Sequence, residues 1–203
     1  MRFTSRFLAL ALVAVVATAA PPAKKKKAAP APPKPLTVEA MAATVVDLET
    51  TAGTISLEFF PDKAPNHVRN FIELAKSGFY NGTNFHRVIP GFMIQGGDPN
   101  TRSGPRETWG TGHSEKTLAA EFNDVPHERG ILSMARTQDP DSATSQFFIC
   151  VARAPSLDHK YTVFGKVTTG MEVVDTIVNA PRNMNNDQPD DPVVIKRAVV
   201  RKK

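Results

Sequence analysis

The side chains able to do chemistry are few, and most are arranged for none. His67, His86, His113, His127 and His159 show no ligand spacing such as HxxxH, so no metal site is expected. The single cysteine, Cys150, lies within Phe147-Phe148-Ile149-Cys150-Val151 and reads as a buried, inert thiol that cannot close an internal disulfide. Asp139, Asp141 and the group Asp187, Asp190, Asp191 read as solvated loop acids, lacking the glycine and terminal glutamate of a calcium loop. No GxSxG and no suitable Cys–His arrangement is present, so the usual hydrolase designs are disfavoured. What remains is a cation in an apolar setting: Arg87, within Phe85-His86-Arg87-Val88-Ile89-Pro90-Gly91-Phe92-Met93-Ile94-Gln95-Gly96-Gly97-Asp98.

Short elements must carry that segment. Val45 to Glu49 and Ile55 to Phe59 read as strands joined through Thr50-Thr51-Ala52-Gly53. Val68, Phe71, Ile72 and Ala75 stand at i, i+3, i+4 and i+7, one face of a helix that Pro65 can start and Gly78 can stop. Apolar pieces follow at 85–89, 92–95, 130–135, 146–151 and 161–167, separated by glycine, proline and polar residues. Met171, Val174, Asp175 and Val178 suggest a second helix ended by Pro181, before a last strand at 193–200. Many short strands with two helices indicate an all-β sandwich or closed barrel.

The N-terminus is a separate region. Arg2 and Arg6 precede an apolar run from Phe7 to Val16, and Ala17-Thr18-Ala19 offers small residues for cleavage. Residues 1–19 therefore read as a secretory signal peptide and the expected destination is the periplasm, with no stable membrane insertion after cleavage. An uncleaved membrane anchor is the alternative. Residues 20–38 form an Ala/Pro/Lys-rich linker and 39–203 the domain. Of the 25 basic residues seven lie in the first 35 positions, which hold none of the 20 acidic ones. The net charge of +5 thus belongs to the tail, and nucleic-acid binding by the domain is not expected.

Two further segments join Phe85–Asp98. One is Gly130-Ile131-Leu132-Ser133-Met134-Ala135-Arg136 with Ser145-Gln146-Phe147-Phe148-Ile149; the other runs from Leu157-Asp158 through Tyr161-Thr162-Val163-Phe164-Gly165-Lys166-Val167. Together, and in this order, they closely resemble the signature of the cyclophilins, from about Ala42 to Val200. The resemblance implies an all-β fold: a closed eight-stranded antiparallel β-barrel capped by two α-helices, with the site on its outer face. It implies peptidyl-prolyl cis-trans isomerisation without a cofactor, acting on proline-containing peptides and unfolded protein clients, by a monomer. Arg87 falls on the family's catalytic arginine and Gln95 on the polar group beside it. Phe92, Met93, Phe148 and Leu157 fall on the proline pocket. Ala135 and Arg136 fall where the family pairs with substrate backbone, and Tyr161 where many members carry His. Ser156 departs from the aromatic common there, so one wall is weaker and cyclosporin binding is expected to be weak. The rival reading is a non-catalytic chaperone or scaffold that binds proline segments on the same fold.

The residue types suit the reaction. Rotation about an X-Pro bond faces a barrier of about 18–20 kcal/mol from amide resonance. No bond is made or broken, so no nucleophile or metal is needed. A guanidinium donating to the proline nitrogen weakens the resonance, and an apolar slot grips the ring.

Overall fold

The computed structural model describes residues 36–203; the expected signal peptide and residues 20–35 of the expected linker lie outside the described residues. The first element is a helix that the sequence reading did not foresee, α1 (Val38–Ala42), capped by the Thr37 side chain accepting from Ala40 N at 3.2 Å. Five residues are too few to display a helical period, which is why pattern alone misses it.

The expected hairpin is present as β1 (Thr44–Thr50) and β2 (Gly53–Phe59). Helix α2 (Pro65–Lys76) starts on Pro65 and buries Val68, Phe71, Ile72 and Ala75, the expected face. Phe71 packs within the core, with its ring 5.3 Å from Phe147 and 5.4 Å from Phe164. The strands β3 (Arg87–Ile89), β4 (Met93–Gly96), β5 (Ile131–Met134), β6 (Phe147–Cys150), β7 (Val163–Thr169) and β8 (Ile195–Lys202) complete one antiparallel sheet, with α3 (Met171–Val178) between the last two. On α3 the buried residues are Val173, Val174, Ile177 and Val178, whereas Asp175 faces outward and pairs with Arg129 at 2.7 Å.

The strand order is β3-β4-β6-β5-β7-β2-β1-β8. A closed barrel would need a ladder between β3 and β8, and the two strands do not form one. The seam is crossed instead by the segment before β3: Gly82 N donates to Ile195 O, Ile195 N to Thr83 O and Phe85 N to Val193 O, around one bridge, Asn84 with Val194. "Closed" therefore overstates a curled sheet whose last gap is stitched by irregular backbone. Inside it the inward residues of every strand form one core with α2 and α3.

Candidate active site

The site is set by strand alternation. Side chains on a strand point alternately to opposite faces. On β3 Val88 is buried while Arg87 and Ile89 are partly exposed, and on β4 Ile94 enters the core. The turn between them fixes their register. Pro90 takes the first corner and Gly91 the second at φ +75°, with Phe92 N donating to Ile89 O at 3.0 Å, a combination that suits a proline followed by glycine. Arg87 then lies opposite Gln95, and Gln95 lies opposite Phe148 on β6. One row across three strands brings together a cation, an amide and an aromatic ring.

A smaller apolar cluster occupies this outer face, separate from the core: Met93, Phe148 and Cys150 are buried, and Phe92, Leu157 and Tyr161 pack against them. Phe147 turns inward to the core while Phe148 turns outward. Above the cluster lies a recess of about 270 Å³. Phe92, Met93, Phe148 and Leu157 give it apolar lining, and Arg87, Gln95, Ala135, Arg136 and Tyr161 complete the lining. The structure thus gathers all nine sequence-predicted residues, drawn from positions 87 to 161, around one opening. Ser156 is exposed and does not line it. Cys150 lies beneath, its thiol pushed up to about 12 by burial.

Arg87 is held from two sides. One terminal nitrogen is 3.5 Å from Gln95 Oε1, and Nε is 3.8 Å from a carboxylate oxygen of Asp187. The Arg87 side chain remains 43% exposed, and with two polar contacts for five N–H donors it keeps donors free. Behind Gln95 a relay sets amide polarity. Gln95 Nε2 donates to Gln146 Oε1 at 2.9 Å, and Gln146 Nε2 donates to Gly110 O at 3.0 Å and Gly112 O at 2.7 Å. Carbonyls only accept, so Gln146 must turn its NH₂ to them and its oxygen to Gln95. Gln95 must in turn present its own oxygen to Arg87.

Two residues of this constellation escape sequence reasoning. Gln146 had a signal, since alternation puts it on the same face as Phe148. Asp187 did not, and its reading as a solvated loop acid is corrected: at φ +59° it donates its N–H to Asn183 O and accepts from Val88 N, while its side chain faces Arg87 and Arg182. Arg136 also differs in use. Its guanidinium donates to Lys160 O, Thr137 O and Gln138 O and lies 4.5 Å from the centre of the Tyr161 ring. Its charge therefore clamps two loops. Its own N–H and C=O carry no hydrogen bond among the described residues, leaving an open backbone edge beside the recess. No group of three or more His, Cys, Asp or Glu among the described residues could hold a metal.

A curled eight-stranded antiparallel sheet with an arginine-edged apolar recess on its outer face defines a class, and comparison supplies its name. Residues 45–200 match the family model for cyclophilin type peptidyl-prolyl cis-trans isomerase, and the chain belongs to that family and is an enzyme of that activity. A peptidyl-prolyl cis-trans isomerase of Acinetobacter baylyi is 45% identical over 168 residues, covering 79% of this chain and 87% of the relative. Peptidyl-prolyl cis-trans isomerase A of Dickeya dadantii is also 45% identical, over 81% of this chain and 88% of its own length. Among solved structures, a cyclophilin type isomerase of Cryptosporidium parvum, crystallised in the presence of the dipeptide Ala-Pro, superposes with a TM-score of 0.71 at 34% identity, covering 78% of this chain and 99% of that one. A cyclophilin from Hirschia baltica reaches 0.64 at 28% identity, covering 78% and 74%.

Proposed function

We propose that the 270 Å³ recess is where this isomerase holds the proline of its substrate, and that Arg87 drives the rotation. The carrying observation is the register that sets Arg87, Gln95 and Phe148 side by side, a donor at the lip of an apolar slot. The pyrrolidine ring enters among Phe92, Met93, Phe148 and Leu157. The flanking peptide runs along the open backbone of Ala135 and Arg136, beside Tyr161. As the amide twists, its nitrogen becomes pyramidal and gains a lone pair, and the Arg87 guanidinium donates to it.

The magnitude is attainable. Exchange without a catalyst takes tens to hundreds of seconds, so reaching 10–10³ per second requires roughly 4–7 kcal/mol at 1.36 per decade. One charge-assisted hydrogen bond in a sheltered site plus a fitted slot supplies energies of that order. The neighbour crystallised with Ala-Pro supports proline peptides as ligands.

We place the enzyme in the periplasm on the pattern of residues 1–19, and we propose that it acts there as a monomer on unfolded exported proteins. Cyclosporin binds weakly, because Ser156 contributes nothing to the recess wall. The test is an NMR titration with an Ala-Pro tetrapeptide: shifts concentrated at residues 87–95, 135–136, 148 and 157–161 are expected, and shifts elsewhere on the barrel overturn the assignment. Ala20 as the first residue of protein from the periplasmic fraction is expected, and intact Met1 in membranes contradicts export.

A further inference from the structure

His127 lies directly behind the recess and belongs to none of the machinery described so far. Its side chain is wholly buried, and its ring lies parallel to Phe148, 13° between planes and 6.1 Å between centroids. Tyr161 meets the same phenyl ring edge-on at 5.8 Å and 83°. Phe148 is thus braced by aromatic contacts with both residues, each in a favoured geometry.

His127 also ties down the opposite wall. Its backbone N–H and its Nδ1 both reach Asp158 Oδ1, at 2.9 and 3.0 Å, and its carbonyl accepts from Ala154 N at 2.9 Å. Ala154 and Asp158 flank the single 3₁₀ turn Pro155–Leu157 that carries Leu157 into the recess. Arg153 pairs with Asp158 and, at 2.9 Å, with Glu128. This is the wall where Ser156 brings no ring, so the turn is held from behind rather than by bulk in front.

The third tie is Ser133, the ladder partner of Phe148, whose hydroxyl is 3.1 Å from His127 Nε2 and 3.0 Å from Thr162 O. The carboxylate can only accept, so Nδ1 carries a proton; the Ser133 hydroxyl directs its single proton to Thr162 O and faces Nε2 with its oxygen. Burial lowers the imidazole pKa below its ordinary value, against the opposing pull of the Asp158 carboxylate. The Ser133–His127–Asp158 connectivity is that of a hydrolytic triad, but Ser133 is fully buried and admits no substrate.

We infer that His127 is a positioning residue for the isomerase reaction, setting Phe148 and Leu157 at the spacing that grips the proline ring. The inference rests on the recess being the proline site. The experiment compares KM and kcat on an Ala-Pro tetrapeptide for His127→Ala, His127→Phe, Asp158→Ala, Asp158→Asn and Phe148→Ala. His127→Ala and Asp158→Ala should raise KM about tenfold with kcat within about twofold, because grip is lost and Arg87 is untouched. Asp158→Asn, which keeps an acceptor oxygen at the same place, should recover most of the affinity, and His127→Phe, which keeps the ring alone, should fall between. Should His127→Ala fail to fold, the phenylalanine and Asp158 variants carry the comparison. A KM within twofold of wild type in the folded variants, or a fall in kcat at fixed KM, overturns the role of His127. Phe148→Ala separates the two levels: raised KM there alone defeats only His127, while unchanged KM there defeats the recess and His127 together.

Discussion

Replacing Gln95 by Glu tests the relay beside Arg87 with almost no change of shape. The amide now donates to Gln146 Oε1 at 2.9 Å and accepts from Arg87 at 3.5 Å. A carboxylate cannot donate, so an oxygen would face the oxygen of Gln146. Gln146 cannot turn to relieve this, because its NH₂ is committed to Gly110 O and Gly112 O. Losing that neutral bond costs about 1 kcal/mol. The new charge also holds Arg87, and a half-exposed pair of this kind contributes up to about 1 kcal/mol, which must be given up when the guanidinium turns to the proline nitrogen. Together these predict a fall in kcat/KM of roughly five- to thirtyfold. Gln95→Leu loses the bonds without adding a competitor for the cation, so its loss should stop near fivefold. A protease-coupled proline-peptide assay, with thermal midpoints to confirm folding, reads both. Gln95→Glu turning over as fast as Gln95→Leu, or faster, refutes the fixed polarity of the relay.

Other consequences follow from the same geometry. Asp187→Asn should lower kcat/KM about two- to fivefold by loosening Arg87, and should have no effect in an Arg87→Ala background; equal losses in both would show that Asp187 acts on the fold alone. His86 is 3% exposed with both ring nitrogens unpartnered, and burial pulls it down to about 4 despite nearby Asp98. The unfolded chain protonates first, so stability should fall by about 3 kcal/mol as pH drops from 6.5 to 4, at 1.36 per unit. Urea midpoints against pH should show the slope, and His86→Leu should flatten it; a parallel slope in the variant contradicts the assignment. Asp158, held well below the usual carboxylate range by Arg153 first and then by the His127 N–H, contributes stability that is fully present above about pH 4 and is lost on further acidification. The difference in thermal midpoint between wild type and Asp158→Asn should therefore stay constant from pH 8 to 5 and shrink below 4. Cys150 should resist alkylation until the protein is unfolded, and rapid labelling of native protein at pH 8 would contradict its burial.

Arg87, Gln95 and Phe148 were assigned to one site by the resemblance, whereas the strands were legible because period-two alternation and glycine and proline breaks are local signals. The helical face of α2 was legible for the same reason. Pairs distant in sequence were not. Asp187 approaches Arg87 across 100 residues, through a left-handed backbone that no pattern announces. His127 meets Asp158 and Phe148 only once β5, β6 and the 3₁₀ turn are assembled. The seam between β3 and β8 was also hidden, since irregular backbone around Asn84 and Val194 carries no strand signature. Arg136 shows the limit of carrying a position over by resemblance, because what the recess gains there is bare backbone while the guanidinium is spent on loops.

The most direct measurement is the rate of cis-trans exchange in an Ala-Pro tetrapeptide catalysed by Arg87→Ala, set beside its binding of the same peptide. Removing a single donor aimed at developing charge should cut kcat/KM by roughly 10²–10³ while peptide affinity stays within about threefold. Arg87→Ala isomerising the peptide as fast as wild type, at equal folded fraction, would contradict the account.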